Sequence, residues 1–305
     1  MTDFDSPWKE ALTLLFERFL AYYFPTAHRG IDWTRQFESL DKELQQVLRD
    51  AESGRRVVDH LVKVWLTDGT EEWLLIHVEV QAQPEADFAT RLYACNYRIF
   101  DRFQRPVVTF AILADDRENW RPSCYEYEIW GFRVRMAFPT VKLLDIVNSR
   151  TDLEIDANPF AVLTLAHVRT QETRNDPEAR RAWKFRLIKS LYQRGLSPDA
   201  VRTLFRCIDW MMDLPKEAED MFWDDVTQFE KENQMPFIDV ATRKGMEKGI
   251  IESILMDWDY KFEGGGNEYR EELQEITDLE LLRKILRAGK TAGSLEVIRK
   301  LWKPQ

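Results

Sequence analysis

Apolar residues first recur at helical spacing. Trp8, Leu12, Leu15, Phe16 and Phe19 stand three or four apart, ending near Tyr23 and Pro25, and predict an amphipathic helix that Ser6 caps and Pro7 opens. Leu40, Leu44, Val47 and Leu48 predict a second helix from about Ser39 to Glu52. The period then changes. Val58, Val62, Val64 and Leu66 mark a strand, Asp68-Gly69-Thr70 a turn, and Trp73 to Gln81 the returning strand. Beyond Pro84, the residues Phe88, Leu92, Ile99 and Phe103 predict a helix from about Ala86 to Phe103, stopped by Pro106. The unbroken apolar run Val107 to Leu113 suits a central strand. Strands are predicted at Tyr125 to Ile129, Phe132 to Phe138 and Val141 to Asp145, and from Asn158 the pattern is helical almost to the end. Breaks fall at Gly195 to Pro198, at Leu214-Pro215 and at Gly264 to Gly266.

This order predicts an α/β fold, a mixed central β-sheet flanked by helices over residues 1–165, followed by a helical C-terminal region over 166–305. Among the eleven tryptophans, Trp65, Trp73 and Trp130 read as strand residues packed in the core or on the sheet. Trp33, Trp120 and Trp223 read either as packing residues or as partner contacts.

Composition narrows the function. With 44 % hydrophobic residues the chain can fill a core. No run of about 18 apolar residues occurs, and MTDFDSPWKEAL lacks a basic-then-apolar leader; the expectation is a cytoplasmic protein with no membrane partner. Cys95, Cys124 and Cys207 are scattered and odd in number, which argues against a disulfide framework or a four-thiolate zinc site. The net charge of −10 and pI near 5.1 argue against a nucleic-acid coat protein. They argue less against a nuclease, where a metal ion offsets carboxylates locally. Neither a G-x-S-x-G elbow nor a phosphate loop is present, so no nucleotide cofactor is expected.

One group of residues carries chemistry. Side chains alternate along a strand, so Glu79 and Gln81 share a face with His77, while Val78 and Val80 point away. The Asp-Gly turn folds Asp59 back alongside Glu79. Two carboxylates and a backbone carbonyl at Val80 form an oxygen donor set suited to Mg²⁺ (or Mn²⁺), which is what phosphodiester hydrolysis requires. On the following helix Arg91, Arg98 and Arg102 lie near one face with Tyr93 and Tyr97, an arrangement that reads as a phosphate and base contact or as a solvated face. A second basic cluster, Arg169, Arg174, Arg180, Arg181, Lys184 and Arg186, has the same two readings.

Asp59 followed by Glu79-Val80-Gln81 is similar to the D…(D/E)xK signature. Together with DSPWKEAL, FESLDKELQQVLRDAE, VVDHLVKVWLTDGTEEWLLIHVEVQ and RLYACNYRIFDRFQRPV, it resembles the PD-(D/E)XK nuclease superfamily. Within it, the recombination-promoting nuclease group, also called PD-(D/E)XK nuclease family transposases, resembles this chain over residues 5 to about 145. The KGMEKGIIESI segment is similar to a helix near the end of that group. The resemblance implies a restriction-endonuclease-like core and a divalent-metal-dependent DNA endonuclease. Asp59, Glu79 and Gln81 would be catalytic, and Asp59, Glu79 and the Val80 carbonyl would hold the metal. It also implies DNA as partner, and a homodimer. Gln81 stands where the superfamily has lysine, so a neutral amide replaces a cation. Glu43, Asp5, Lys9 and His77 are supplementary candidates, with solvated helix residues as the alternative for Glu43 and Lys9. The acidic pI and Gln81 keep a second expectation open, a catalytically inactive nuclease-fold protein that binds DNA or protein.

Overall fold

The computed structural model describes residues 5–44, 58–67, 73–233, 250–255, 257–258, 261–262, 268–276 and 279–303. The chain forms two compact units, one of 1–196 with 203–213, the other of 197–202 with 214–305. The first unit therefore takes in helices beyond residue 165.

In the first unit, α1 (Asp5–Tyr23) and α2 (Pro25–Arg29) precede β1 (Glu38–Ser39), β2 (Val58–Trp65) and β3 (Trp73–Gln81). Then follow α3 (Phe88–Phe103), β4 (Val107–Leu113), β5 (Cys124–Ile129), β6 (Phe132–Ala137), β7 (Thr140–Lys142), α4 (Leu143–Ser149), α5 (Pro159–Glu172) and α6 (Pro177–Tyr192). The main sheet has five strands in the order β1-β2-β3-β4-β7. β1, β2 and β3 pair antiparallel, and β3, β4 and β7 pair parallel. This is the mixed α/β architecture expected from the alternation of periods. β5 and β6 form a separate hairpin.

The apolar run of β4 is explained by helices on both faces of the sheet. On one side Phe110 stacks on Phe24 with ring centroids 4.1 Å apart. There α1 and α5 close over the sheet, with Trp8 against Phe160 and His167. On the other side α3 lays Cys95 and Ile99 on Leu61 and Leu75, and Phe88 and Leu92 on Ala111 and Leu113. His167 ties three elements together: its Nδ1 accepts from Trp8 Nε1 (3.1 Å) and its Nε2 donates to the Ala114 carbonyl (2.7 Å).

Several local expectations are corrected. Ser39 belongs to β1, paired with Val62, and helical structure begins at Asp41; the rest of the predicted second helix lies outside the described residues. Ser6 and Pro7 fall inside α1 instead of capping it. Pro25 opens a short helix because its missing N–H is harmless at a first turn. Leu143 to Asp145 are helical, the strand having ended at Lys142. Trp130 is not a strand residue: it sits with Gly131 at the turn between β5 and β6, fully exposed. The Asp68-Gly69-Thr70 turn, the Gly264 to Gly266 break and most of the KGMEKGIIESI segment lie outside the described residues.

Helix α7 (Pro198–Met211) has residues in both units. The second unit contains α8 (Lys216–Asn233), helical residues around Trp258, α9 (Arg270–Gln274), α10 (Leu279–Thr291) and α11 (Leu295–Arg299). Its core is built on Trp258, which stacks on Trp302 at 5.9 Å and meets Tyr269 edge-on. Among the described residues no helix is long and apolar enough to cross a membrane.

Candidate active site

Strand pairing brings the two acidic positions together. Asp59 and Glu79 are direct cross-strand partners, and residues so paired project from the same face of a sheet. The side chain of Asp59 lies outside the described residues. Along β3 the same face carries His77, Glu79 and Gln81, all buried beneath α3.

A carboxylate 1 % exposed, as Glu79 is, requires a partner. Arg91 supplies it from the first turn of α3. Its Nη1 donates to Glu79 Oε1 at 2.7 Å, and its Nη2 donates to Gln81 Oε1 at 2.9 Å and Glu85 Oε2 at 3.2 Å. Gln81 is held at its other end as well, Nε2 donating to the Gln83 carbonyl at 2.7 Å. Arg91 thus leaves the expected row with Arg98 and Arg102 and turns inward, because the planar fork can satisfy a buried carboxylate and an amide together. Arg98 is half-buried, Arg102 is exposed with its guanidinium 6.0 Å from the Phe103 ring centre, and Tyr97 is exposed.

His77 lies behind Glu79. Its Nε2 is 3.9 Å from Glu79 Oε2 and 3.8 Å from Cys95 Sγ, and its Nδ1 is 3.5 Å from Thr109 Oγ1. Asn96 Nδ2 donates to the same hydroxyl at 3.0 Å. His77 is therefore adjacent to the Glu79 carboxylate within the buried face.

Lys9 belongs to a different cluster. His60 follows Asp59 and points to the opposite face, where its ring meets Phe16. Its Nδ1 is 2.9 Å from Asp41 Oδ2, while Asp41 Oδ1 accepts from the Leu61 N–H. Burial pushes the Asp41 carboxyl up, but its interactions with His60, the Leu61 N–H and the Lys9 ammonium outweigh this and hold it below the usual carboxylate range. Glu43 is half-buried on the same helical stretch, beside Leu44, which packs on the sheet face that carries Glu79.

The sequence reading missed Glu85, Asp41 and Lys142. Lys142 shares a register row with Gln81 through Leu113, but its ammonium is buried and held by Asp115 Oδ2 at 2.5 Å and the Arg117 carbonyl at 2.8 Å. Arg91 is a cation that touches both Glu79 and Gln81. These are long-range pairings between elements, which leave no trace in local periodicity. The second basic cluster consists largely of internal pairs. Lys184 and Asp209 form a buried ion pair at 2.6 Å, Arg180 donates to the carbonyls of Thr170, Thr173 and Asp213, and Arg186 meets Glu154 at 2.5 Å.

Among the described residues no group of three or more His, Cys, Asp or Glu side chains is arranged to hold a metal. The groups expected to hold a metal, the carboxylates of Asp59 and Glu79 and the Val80 carbonyl, are oxygen donors of the kind Mg²⁺ or Mn²⁺ takes. In this structure Glu79 Oε1 is engaged by Arg91 Nη1. Comparison with family models, with curated proteins and with solved structures finds no match to this chain.

Proposed function

We propose that this protein is a divalent-metal-dependent DNA endonuclease of the PD-(D/E)XK type, related to the recombination-promoting, transposase-like group. The observation that carries the reading is the direct cross-strand pairing of Asp59 with Glu79 under the Arg91 guanidinium.

When bound by Asp59, Glu79 and the Val80 carbonyl, Mg²⁺ (or Mn²⁺) supplies an activated water and offsets charge on the phosphate. The protein's own part is positioning. Arg91 carries positive charge next to Gln81, where the superfamily's lysine is missing from the strand, and a guanidinium matches phosphate oxygens as well as it matches a carboxylate. Gln81 acts through Arg91, which it holds with Oε1. His77 and Glu85 orient Glu79 and Arg91. Arg98 and Arg102, further along α3, are assigned to the DNA backbone. The free cysteines suit the cytoplasm, the compartment proposed for it.

The Arg91–Glu79 contact also favours a second reading. A guanidinium seated on Oε1 neutralises the buried carboxylate without a metal, as in a nuclease-fold protein that binds DNA or protein without cutting. Incubating the full chain with supercoiled plasmid, with and without Mg²⁺ or Mn²⁺, separates the two. Metal-dependent nicking supports the endonuclease. DNA binding without nicking under either metal supports the binding module.

A further inference from the structure

The β5–β6 hairpin is divided by face beyond its first pair, Cys124 with Ala137. Its register pairs Tyr125 with Met136, Tyr127 with Val134 and Ile129 with Phe132, so one face is apolar along its whole length. The other face carries Glu126 and Glu128 opposite Arg135 and Arg133. These charges neutralise one another, Arg133 pairing with Glu126 and Glu128 and Arg135 with Glu126.

Among the described residues, packing within the chain covers only the base of the apolar face. Met136 packs against the cluster of Phe88, Leu92 and Leu113, and Tyr125 stacks on Tyr93 of α3 with centroids 4.5 Å apart. The outer half is open, with Ile129 55 % and Phe132 62 % exposed. Trp130 at the tip adopts φ +52°, a left-handed turn conformation that asparagine or glycine takes at less cost. From the tip an aromatic path runs inward through Phe132, Tyr127 and Tyr125 to Tyr93, with successive centroids 6.0, 5.8 and 4.5 Å apart. It continues on the same stripe of α3 to Tyr97 and Phe100, 58 % and 46 % exposed.

We infer that this arm and the outer face of α3 form a two-fold interface with a second copy of the chain. Three observations select that occupant. The apolar face bears no cation, and the arm's arginines lie on its other side paired with glutamates, whereas a stacking platform for single-stranded nucleic acid needs a cationic groove. Two exposed apolar patches lie on one chain, and a two-fold axis brings the arm of each copy onto the helix of the other. The open side chains offer roughly 600 Å² per copy, so two copies bury about 1,200 Å², the size of a small specific interface. Tyr97 then contacts the partner copy and not DNA. The inference is independent of the proposed nuclease activity.

The test is sedimentation of the full chain over a concentration series, which reads mass and not cleavage. The expected result is a reversible dimer of the 36.3 kDa chain, with its dissociation constant raised about tenfold or more by Trp130→Ala, which removes only an exposed ring. Phe132→Ser and Tyr97→Glu should do the same from the two sides of the interface, with circular dichroism unchanged. A wild-type monomer at every concentration overturns the inference, as does a dimer indifferent to these substitutions. Unchanged mass with weakened single-stranded DNA binding by Trp130→Ala also overturns it and reassigns the arm to nucleic acid.

Discussion

The guanidinium of Arg91 and the carboxylate of Glu79 form an ion pair beneath α3, with 2.7 Å between Nη1 and Oε1. Its consequence is that strand β3 does not present a bare acid. Glu79 is held by a cation from the neighbouring helix, and that same cation is held by Gln81 and Glu85. Truncating one member of such a pair leaves the other charge buried.

Arg91→Met should therefore destabilise the first unit by about 3–5 kcal/mol, and the double variant Arg91→Met with Glu79→Leu should recover most of that loss. Urea unfolding of the two variants beside the wild type measures both. A single-variant loss under about 1 kcal/mol would contradict a buried pair.

His167 predicts a pH dependence. Burial, only partly opposed by its hydrogen bond to the Ala114 carbonyl, lowers its pKa from the usual histidine value of 6.5 to about 4. Trp8 Nε1 can only donate, so the ring facing it must be neutral. The unfolded chain therefore binds the proton more readily between these values. The stabilisation is complete above pH 6.5 and is lost as pH falls towards 4, by about 3 kcal/mol. His167→Gln, which can still accept from Trp8, should flatten the stability profile in this window relative to wild type. An unaltered slope would show that His167 does not titrate with folding.

In the second unit, Gly289 is set against Trp258: a Cβ at 289 would lie 2.6 Å from Trp258 Nε1 and 3.2 Å from its Cδ1. Replacing a helix-interior glycine with alanine ordinarily stabilises by about 1 kcal/mol. Here the buried indole blocks it, and Gly289→Ala should instead cost about 1–3 kcal/mol. A thermal melt of the full chain distinguishes the signs. A raised midpoint would mean that Trp258 moves freely.

Legibility in the sequence followed range. The mixed sheet was readable because β2, β3 and β4 each announce themselves locally, through β-branched residues or an unbroken apolar run. The same alternation placed His77, Glu79 and Gln81 on one face. What surrounds Glu79 was not readable. Arg91 fits an outward arginine row by spacing, and only the depth of Glu79 shows why it turns in. Trp130 has the composition of a strand residue, yet the register of β5 with β6 places it at the turn. Lys142 and Asp115 are 27 residues apart in sequence and meet only because β7 pairs with β4.

The most direct test of the central claim is metal-dependent plasmid nicking by wild type beside Asp59→Asn and Glu79→Gln, near-isosteric changes that leave no void. Wild type should nick with Mg²⁺ or Mn²⁺, and each variant should lose about a hundredfold or more of that activity, with folding retained by circular dichroism. Equal nicking by all three proteins would remove Asp59 and Glu79 from the site, and no nicking by folded wild type with either metal would contradict the endonuclease itself.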